Sequence, residues 1–263
     1  MKRAILAALF TLLVSASAFA SGNAILIPAA GHIEGGGGVT FRSDIAVHNL
    51  KAVRQLVRFD WLPRSGSGQV KTSTTRVMPA NTSIQSDDFV SGVLSTEGLG
   101  AIVVQPVNED GSDDPTAKLL VTSRIWSPAP GHDLSVPGNV SQSFPPIPFS
   151  SIVSTRLAIA GVRQDNFHRL NVGVVNLDTQ SPQTFRIWTE DIVNSPVTEL
   201  TVGPSSMQQI SLPPSFTSGR SRVMVEIVPA PGGGRLSLWT AYASVVDNVT
   251  GDSWSSLGVD VSE

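Results

Sequence analysis

The 263-residue chain contains no cysteine. Disulfides, thiolate zinc centres, iron–sulfur clusters and cysteine nucleophiles are therefore excluded. Charge is sparse: acidic and basic residues make up 15% of the chain, and the formal net charge of −3 offers no basic stripe for nucleic acid or an anionic membrane. There is one Tyr, and aromatics reach only 6%. Abundant instead are Gly (23) and Pro (18), within a chain that is 41% hydrophobic. That composition is too apolar for disorder and too rich in breakers for long helices.

Long apolar runs are also missing, with one exception at the start. Met1-Lys2-Arg3 is basic, residues 4–14 are apolar, and Ala18-Phe19-Ala20 has the small-x-small pattern of a cleavage site. Together these predict a signal peptide over residues 1–20. The apolar run is too short for a span, which needs about 20 residues. The expected destination is secretion, periplasmic or extracellular, with no membrane insertion of the mature chain.

Beyond residue 20 the apolar residues alternate with polar ones. Val57, Phe59 and Trp61 alternate with Arg58 and Asp60, and Val223, Val225 and Ile227 with Arg222, Met224 and Glu226. Period-two runs broken by Gly, Pro, Asn and Asp are strands separated by turns. One helical turn is expected near residues 87–94, where Phe89, Val90, Val93 and Leu94 have suitable spacing. The fold class is all-β.

The chain also repeats itself. The segment from Phe41-Arg42 to His48-Asn49-Leu50 matches that from His168-Arg169 to Val175-Asn176-Leu177. Phe59 then matches Phe185, Val77-Met78-Pro79 matches Val202-Gly203-Pro204, Ile102 and Val104 match Val225 and Ile227, and Leu119 and Val121 match Leu236 and Leu238. This order predicts two β-sandwich domains, 21–140 and 150–263, each with room for about seven strands of immunoglobulin type. A Pro-rich linker over 141–149, with Pro145, Pro146 and Pro148, would join them. Without crosslinks, each domain is expected to fold on its own core.

Several stretches resemble a group of secreted bacterial proteins. They are Ile27-Pro28-Ala29-Ala30, Phe41-Arg42-Ser43-Asp44, Leu62-Pro63-Arg64 and Thr122-Ser123-Arg124, then Leu212-Pro213-Pro214 and, most specifically, residues 243–252 (ASVVDNVTGD). The group is an uncharacterised family of tandem immunoglobulin-like β-sandwich modules. The resemblance implies fold and location and carries no catalytic or binding residue.

Each cluster of chemistry-bearing residues has a plain structural reading. Asp44 and His48 share a strand face but lie about 13 Å apart at strand rise, too far for one metal. A strand-entrance pair for Arg42 and Asp44 and a turn role for Asn49 fit better. The acidic stretch 108–114 could wrap calcium through Asn108, Asp110, Ser112 and Asp114, yet its Gly111 is misplaced for an EF-hand and no Glu closes it. A solvated loop is expected. His132-Asp133 and His168 lack a second imidazole at ligand spacing. Ser65 and Ser67 sit in a Gly/Ser turn, not a nucleophile elbow. Asp247-Asn248-Val249-Thr250-Gly251-Asp252 reads as a hairpin connection.

No catalytic, cofactor-binding or metal residue is assigned, and the protein is expected not to be an enzyme. The leading expectation is an interaction or structural protein acting through protein or cell-surface contacts, with edge strands as contact surfaces. The alternative is a carbohydrate-binding module in which Trp126, Trp188 and Trp254 form a stacking platform.

Overall fold

A computed structural model of the chain describes residues 23–129, 139–152, 155–189, 197–213, 219–229 and 238–262. The leader expected over residues 1–20, and His132-Asp133, lie outside the described residues.

Nine strands and one α-helical turn make the first part: β1 (Ile25–Glu34), β2 (Thr40–Asn49), β3 (Gln55–Pro63), β4 (Ser73–Met78), β5 (Ser83–Ser86), α1 (Phe89–Gly92), β6 (Gly98–Val107), β7 (Leu119–Pro128), β8 (Asn139–Ser143) and β9 (Ile147–Pro148); β10 (Arg156–Gln164) opens the second. The second part continues with β11 (His168–Asn176), β12 (Gln183–Thr189), β13 (Thr198–Val202), β14 (Ser206–Leu212), β15 (Gly219–Ile227), β16 (Trp239–Asp247), β17 (Ser253–Leu257) and β18 (Val259–Asp260). The all-β class holds, and the one helical turn falls where its spacing predicts.

Pairing between these strands is antiparallel. In the first half, β4-β3-β6-β1 form one layer and β5-β2-β7-β8 the other. Strand β1 joins them, because its last residues leave β6 and pair with β2 at Ile33↔Phe41 and Glu34↔Thr40. In the second half, β13-β12-β15-β10-β18 face β14-β11-β16-β17. The order of pairings is the same in both halves. A register shift interrupts β1 between Ile27 and Ala30, and another interrupts β10 between Ile159 and Val162. In the immunoglobulin plan the first strand lies beside the second and the seventh beside the sixth. Here β1 and β10 lie mainly beside the sixth strands, and β7 and β16 beside the second.

The Asn at the end of β2 and of β11 does the same work in each half. Asn49 Nδ2 donates to the carbonyls of Val53 (2.9 Å), Met78 (3.2 Å) and Pro79 (2.9 Å), and its Oδ1 accepts from Lys51 N (2.9 Å). Asn176 Nδ2 donates to Ser181 (3.0 Å), Val202 (3.1 Å) and Gly203 (3.0 Å), and its Oδ1 accepts from Asp178 N (2.9 Å). Both side chains are fully buried, so each satisfies loop carbonyls that would otherwise be stranded from water. These bonds place Met78 opposite Val202 rather than Gly203, one residue away from the sequence match. Met78 pairs with Gln55 and Val202 with Gln183, so Phe59, four residues past Gln55, corresponds to Ile187, and their partners Val104 and Val225 correspond, two residues away from the sequence match. A two-residue slip keeps every side chain on its face, so alternation alone does not detect it.

Three apolar cores separate four layers. Ile27, Phe59, Trp61, Phe89 and Ile102 fill the first sandwich. Ile159, Val174, Phe185, Val223 and Trp239 fill the second. The third core lies between the halves: Leu26, Leu62, Ala101 and Val103 of the first meet Val175, Leu177, Met207 and Tyr242 of the second. Strand β6 therefore buries both faces, Ile102 and Val104 inward and Ala101 and Val103 toward the other half. This is the burial that continuous apolar runs signal.

The stretch 141–149 departs from the expected linker. Its first residues complete β8 against β7, and Ile147-Pro148 pairs with Leu26-Ile25 of β1. Phe144, Ile147 and Phe149 are buried in the core between the halves. Apolar residues between the prolines override the spacer tendency, because burying them outweighs solvating an extended chain.

Candidate functional site

The residues singled out in the sequence serve the framework. Asp44 and Arg124, opposite each other on β2 and β7, form an ion pair at 2.9 Å. Arg42 lies 3.6 Å from Asp88 and stacks on Trp126, its guanidinium 5.6 Å from the ring centroid. His48 Nδ1 meets Ser83 Oγ at 2.7 Å across the β2–β5 pair. In the 108–114 loop, Asp110 Oδ1 accepts from Ser112 N (2.9 Å), and Asn108 Nδ2 donates to Asp113 O (2.9 Å). Asp110 Oδ1 and the Asp113 carbonyl are thus engaged by the loop's own donors. Among the described residues no three acidic or imidazole side chains converge as a metal site would require.

The three tryptophans do not share a face. Trp126 sits on β7, its Nε1 donating to Asp87 O at 2.7 Å. Trp188 sits on β12 under Arg156, 5.8 Å from its centroid. Trp254 on β17 is opposite the core residue Val245 and donates Nε1 to Gly161 O at 2.9 Å. Each belongs to a different sheet.

An open groove of about 460 Å³ lies where the first half stops covering the β14-β11-β16-β17 sheet. Alternation on β11 and β16 sends Leu170, Val172 and Val245 into the core, so Arg169, Asn171 and Val246 point outward into the groove. Gln209 joins them from β14, where its Oε1 accepts the hydroxyl of buried Tyr242 at 2.9 Å. The facing wall is Ile33, Phe41 and Leu99 of the first half. One end is closed by a seam between the edges of β8 and β17. There Ser253 Oγ donates to Ser141 O (3.2 Å), Ser255 Oγ to Ser143 O, and Gln142 Nε2 to Trp254 O. Side chains rather than a ladder join these two edges, and each edge is covered by the other.

The groove was not legible as a motif. Its residues come from nine separated strands and the turns near Gly35 and Val249, and no spacing links them. The one signal was the contrast between matched positions. Asp44 of β2 has Asn171 as its counterpart, and His48 has Val175. The charged members lie on an outer face, whereas Val175 belongs to the core between the halves and Asn171 lines the groove.

Two turn carboxylates, Asp247 on the groove's rim and Asp165 in the turn before β11, have depressed pKa values. Asp247 accepts from Val249 N (2.7 Å) and Thr250 N (3.2 Å), which holds its carboxyl below the usual range. Asp165 is held further down, first by the His168 ring (2.8 Å) and then by the amides of Phe167 and His168 and by Arg163. A carboxyl whose folded-state pKa is depressed stabilises the fold fully above its unfolded value. That contribution is lost as pH falls through the folded value. The melting temperature is therefore expected to stay level from neutral pH to about pH 4.5 and to fall below about pH 4. The Asp165→Asn/Asp247→Asn variant should melt lower at neutral pH and show a shallower acid fall. A variant curve parallel to wild type would contradict this.

No protein-family model matches the chain, and no curated protein or solved structure matches it.

Proposed function

We propose that this is an exported, non-enzymatic contact protein. In this reading two related β-sandwich modules, immunoglobulin-like in their layering though not in their strand order and from the secreted family the sequence resembles, are fused into one rigid body. The common pairing order and the matched Asn49 and Asn176 hubs support the relatedness of the modules. The leader pattern at residues 1–20 supports export. The observation that carries the functional reading is the groove. It exists only because the halves are joined, and it combines an apolar wall with polar groups that the fold leaves unengaged. Edge-strand pairing is the weaker option at β8 and β17, which already cover one another. The tryptophan platform loses its basis with the three rings on different sheets.

Two measurements test the reading. Protein recovered from its source should begin at Ser21. Labelled mature chain should bind the source organism's cell envelopes saturably, and Val246→Asp, which places a charge in the groove, should abolish that binding while the melting temperature holds. Binding unchanged by Val246→Asp, or an uncleaved leader on the recovered protein, would overturn it.

A further inference from the structure

The composition of the groove narrows what fits it. Its floor offers hydrogen bonds that the fold does not use. Among the described residues, Asn171 is half-buried and neither its amide nitrogen nor its oxygen has a partner. Gln209 spends its Oε1 on Tyr242 and leaves its Nε2 unbonded. Among the described residues Arg169 has a single side-chain bond, from Nη1 to Asn248 Oδ1 (2.8 Å), and no carboxylate partner. On the first half, Glu34 at the rim has no cation partner among the described residues. The floor therefore presents neutral amides able to donate and accept at once. An unpaired carboxylate stands on one half and an unpaired guanidinium on the other.

Several ligand classes fail on these terms. A sugar ring needs an open aromatic face to stack on. The groove's aromatics are Phe41, covered by the backbone of Gly35, and Phe144, packed edge-on against Tyr242 at 5.4 Å. A nucleic acid needs several cations, whereas Arg169 is the one cation among the described lining residues and two carboxylates, Glu34 and Asp247, line the same groove. A purely apolar ligand would strand the Asn171 amide away from water, at a desolvation cost.

A peptide main chain satisfies all of them. It offers a donor and an acceptor per residue, the pairing that an Asn or Gln amide matches. Alternate side chains of an extended segment point to opposite sides, so one set can face Ile33, Phe41 and Leu99 while the main chain faces the amides. A volume of about 460 Å³ lies within the range of ligand sites and suits a few residues rather than a long strand. We infer that the groove between the halves binds a short extended peptide segment. The segment has apolar side chains and a basic and an acidic residue at its ends, with Asn171 and Gln209 holding its main chain. The inference rests on the contact reading above and names its ligand class.

The test is a titration of isotope-labelled mature chain, residues 21–263, with acetyl-Lys-Val-Leu-Val-Asp-amide, followed by NMR. Cellohexaose serves as the saccharide probe in a parallel titration. The side-chain amide signals of Asn171 and Gln209 should move saturably with peptide and stay still with cellohexaose. Asn171→Ala/Gln209→Ala should weaken peptide binding at least about tenfold, since each lost main-chain contact is worth about a factor of five. Asn171→Asp, which keeps the side chain's size and removes its donor, should weaken it by a smaller factor. Still amide signals at about 5 mM peptide, equal movement with cellohexaose, or undiminished affinity in both variants would overturn the inference. If the peptide leaves the groove untouched while Val246→Asp still abolishes envelope binding, the peptide assignment falls and the contact reading stands. If the groove takes peptide but the chain binds no envelope, the contact reading falls.

Discussion

Gly173→Ala should cost the protein a large share of its stability. Gly173 lies mid-strand in β11, opposite Tyr242 in the pairing with β16. A Cβ built there would stand 2.1 Å from the Tyr242 ring and 2.5 Å from its hydroxyl oxygen. The ring cannot swing away. It is fully buried in the core between the halves, packed on Phe144 and bonded to Gln209. Overpacking typically costs about 1–3 kcal/mol, and a main-chain site facing a fixed ring falls at or above the top of that range. Against a typical total of about 5–15 kcal/mol, the variant should unfold at a much lower urea concentration or fail to accumulate. Tyr242→Ala alone should cost about 3–5 kcal/mol through the cavity it leaves. In the double variant the intruding methyl enters that cavity, so the two losses should not add. Strict additivity would contradict the packing described.

Cutting the chain at Pro146 is expected to give two halves that do not behave as independent domains. A fragment ending there exposes Leu26, Leu62, Ala101 and Val103, and its counterpart exposes Val175, Leu177, Met207 and Tyr242. Patches of that kind drive association. Each fragment alone should self-associate or unfold well below the intact chain. Mixing the two should restore a single cooperative transition near that of the uncut protein. Two monomeric fragments, each melting as high as the intact chain, would show that the shared core contributes little. The sequence expectation of self-sufficient domains is revised here for a physical reason: a sheet that buries both faces cannot satisfy one of them alone.

The strands were legible because alternation is a local property. Val57, Phe59 and Trp61 point into the first core as their spacing predicts, and Phe185 points into the second. Asn49 and Asn176 were visible as turn residues, although their role as hubs for three carbonyls needed the loops in place. The register between the halves was read one or two residues out, because a slip of two preserves the face. The prolines of 141–149 are local signals for a spacer, whereas the burial of Phe144, Ile147 and Phe149 depends on both halves being in place.

The sequence by itself determined the all-β class, the positions of most strands, and the exclusion of cysteine chemistry. Each of these depends on neighbours in the chain. Only the tertiary structure decided that the second face of β6 meets Tyr242, that β8 and β17 seal each other's edges, and that a groove opens between the halves. Those features join residues more than a hundred positions apart. No local pattern encodes which of two apolar faces will find the other, because the free energy that selects the pairing exists only once both sheets are formed.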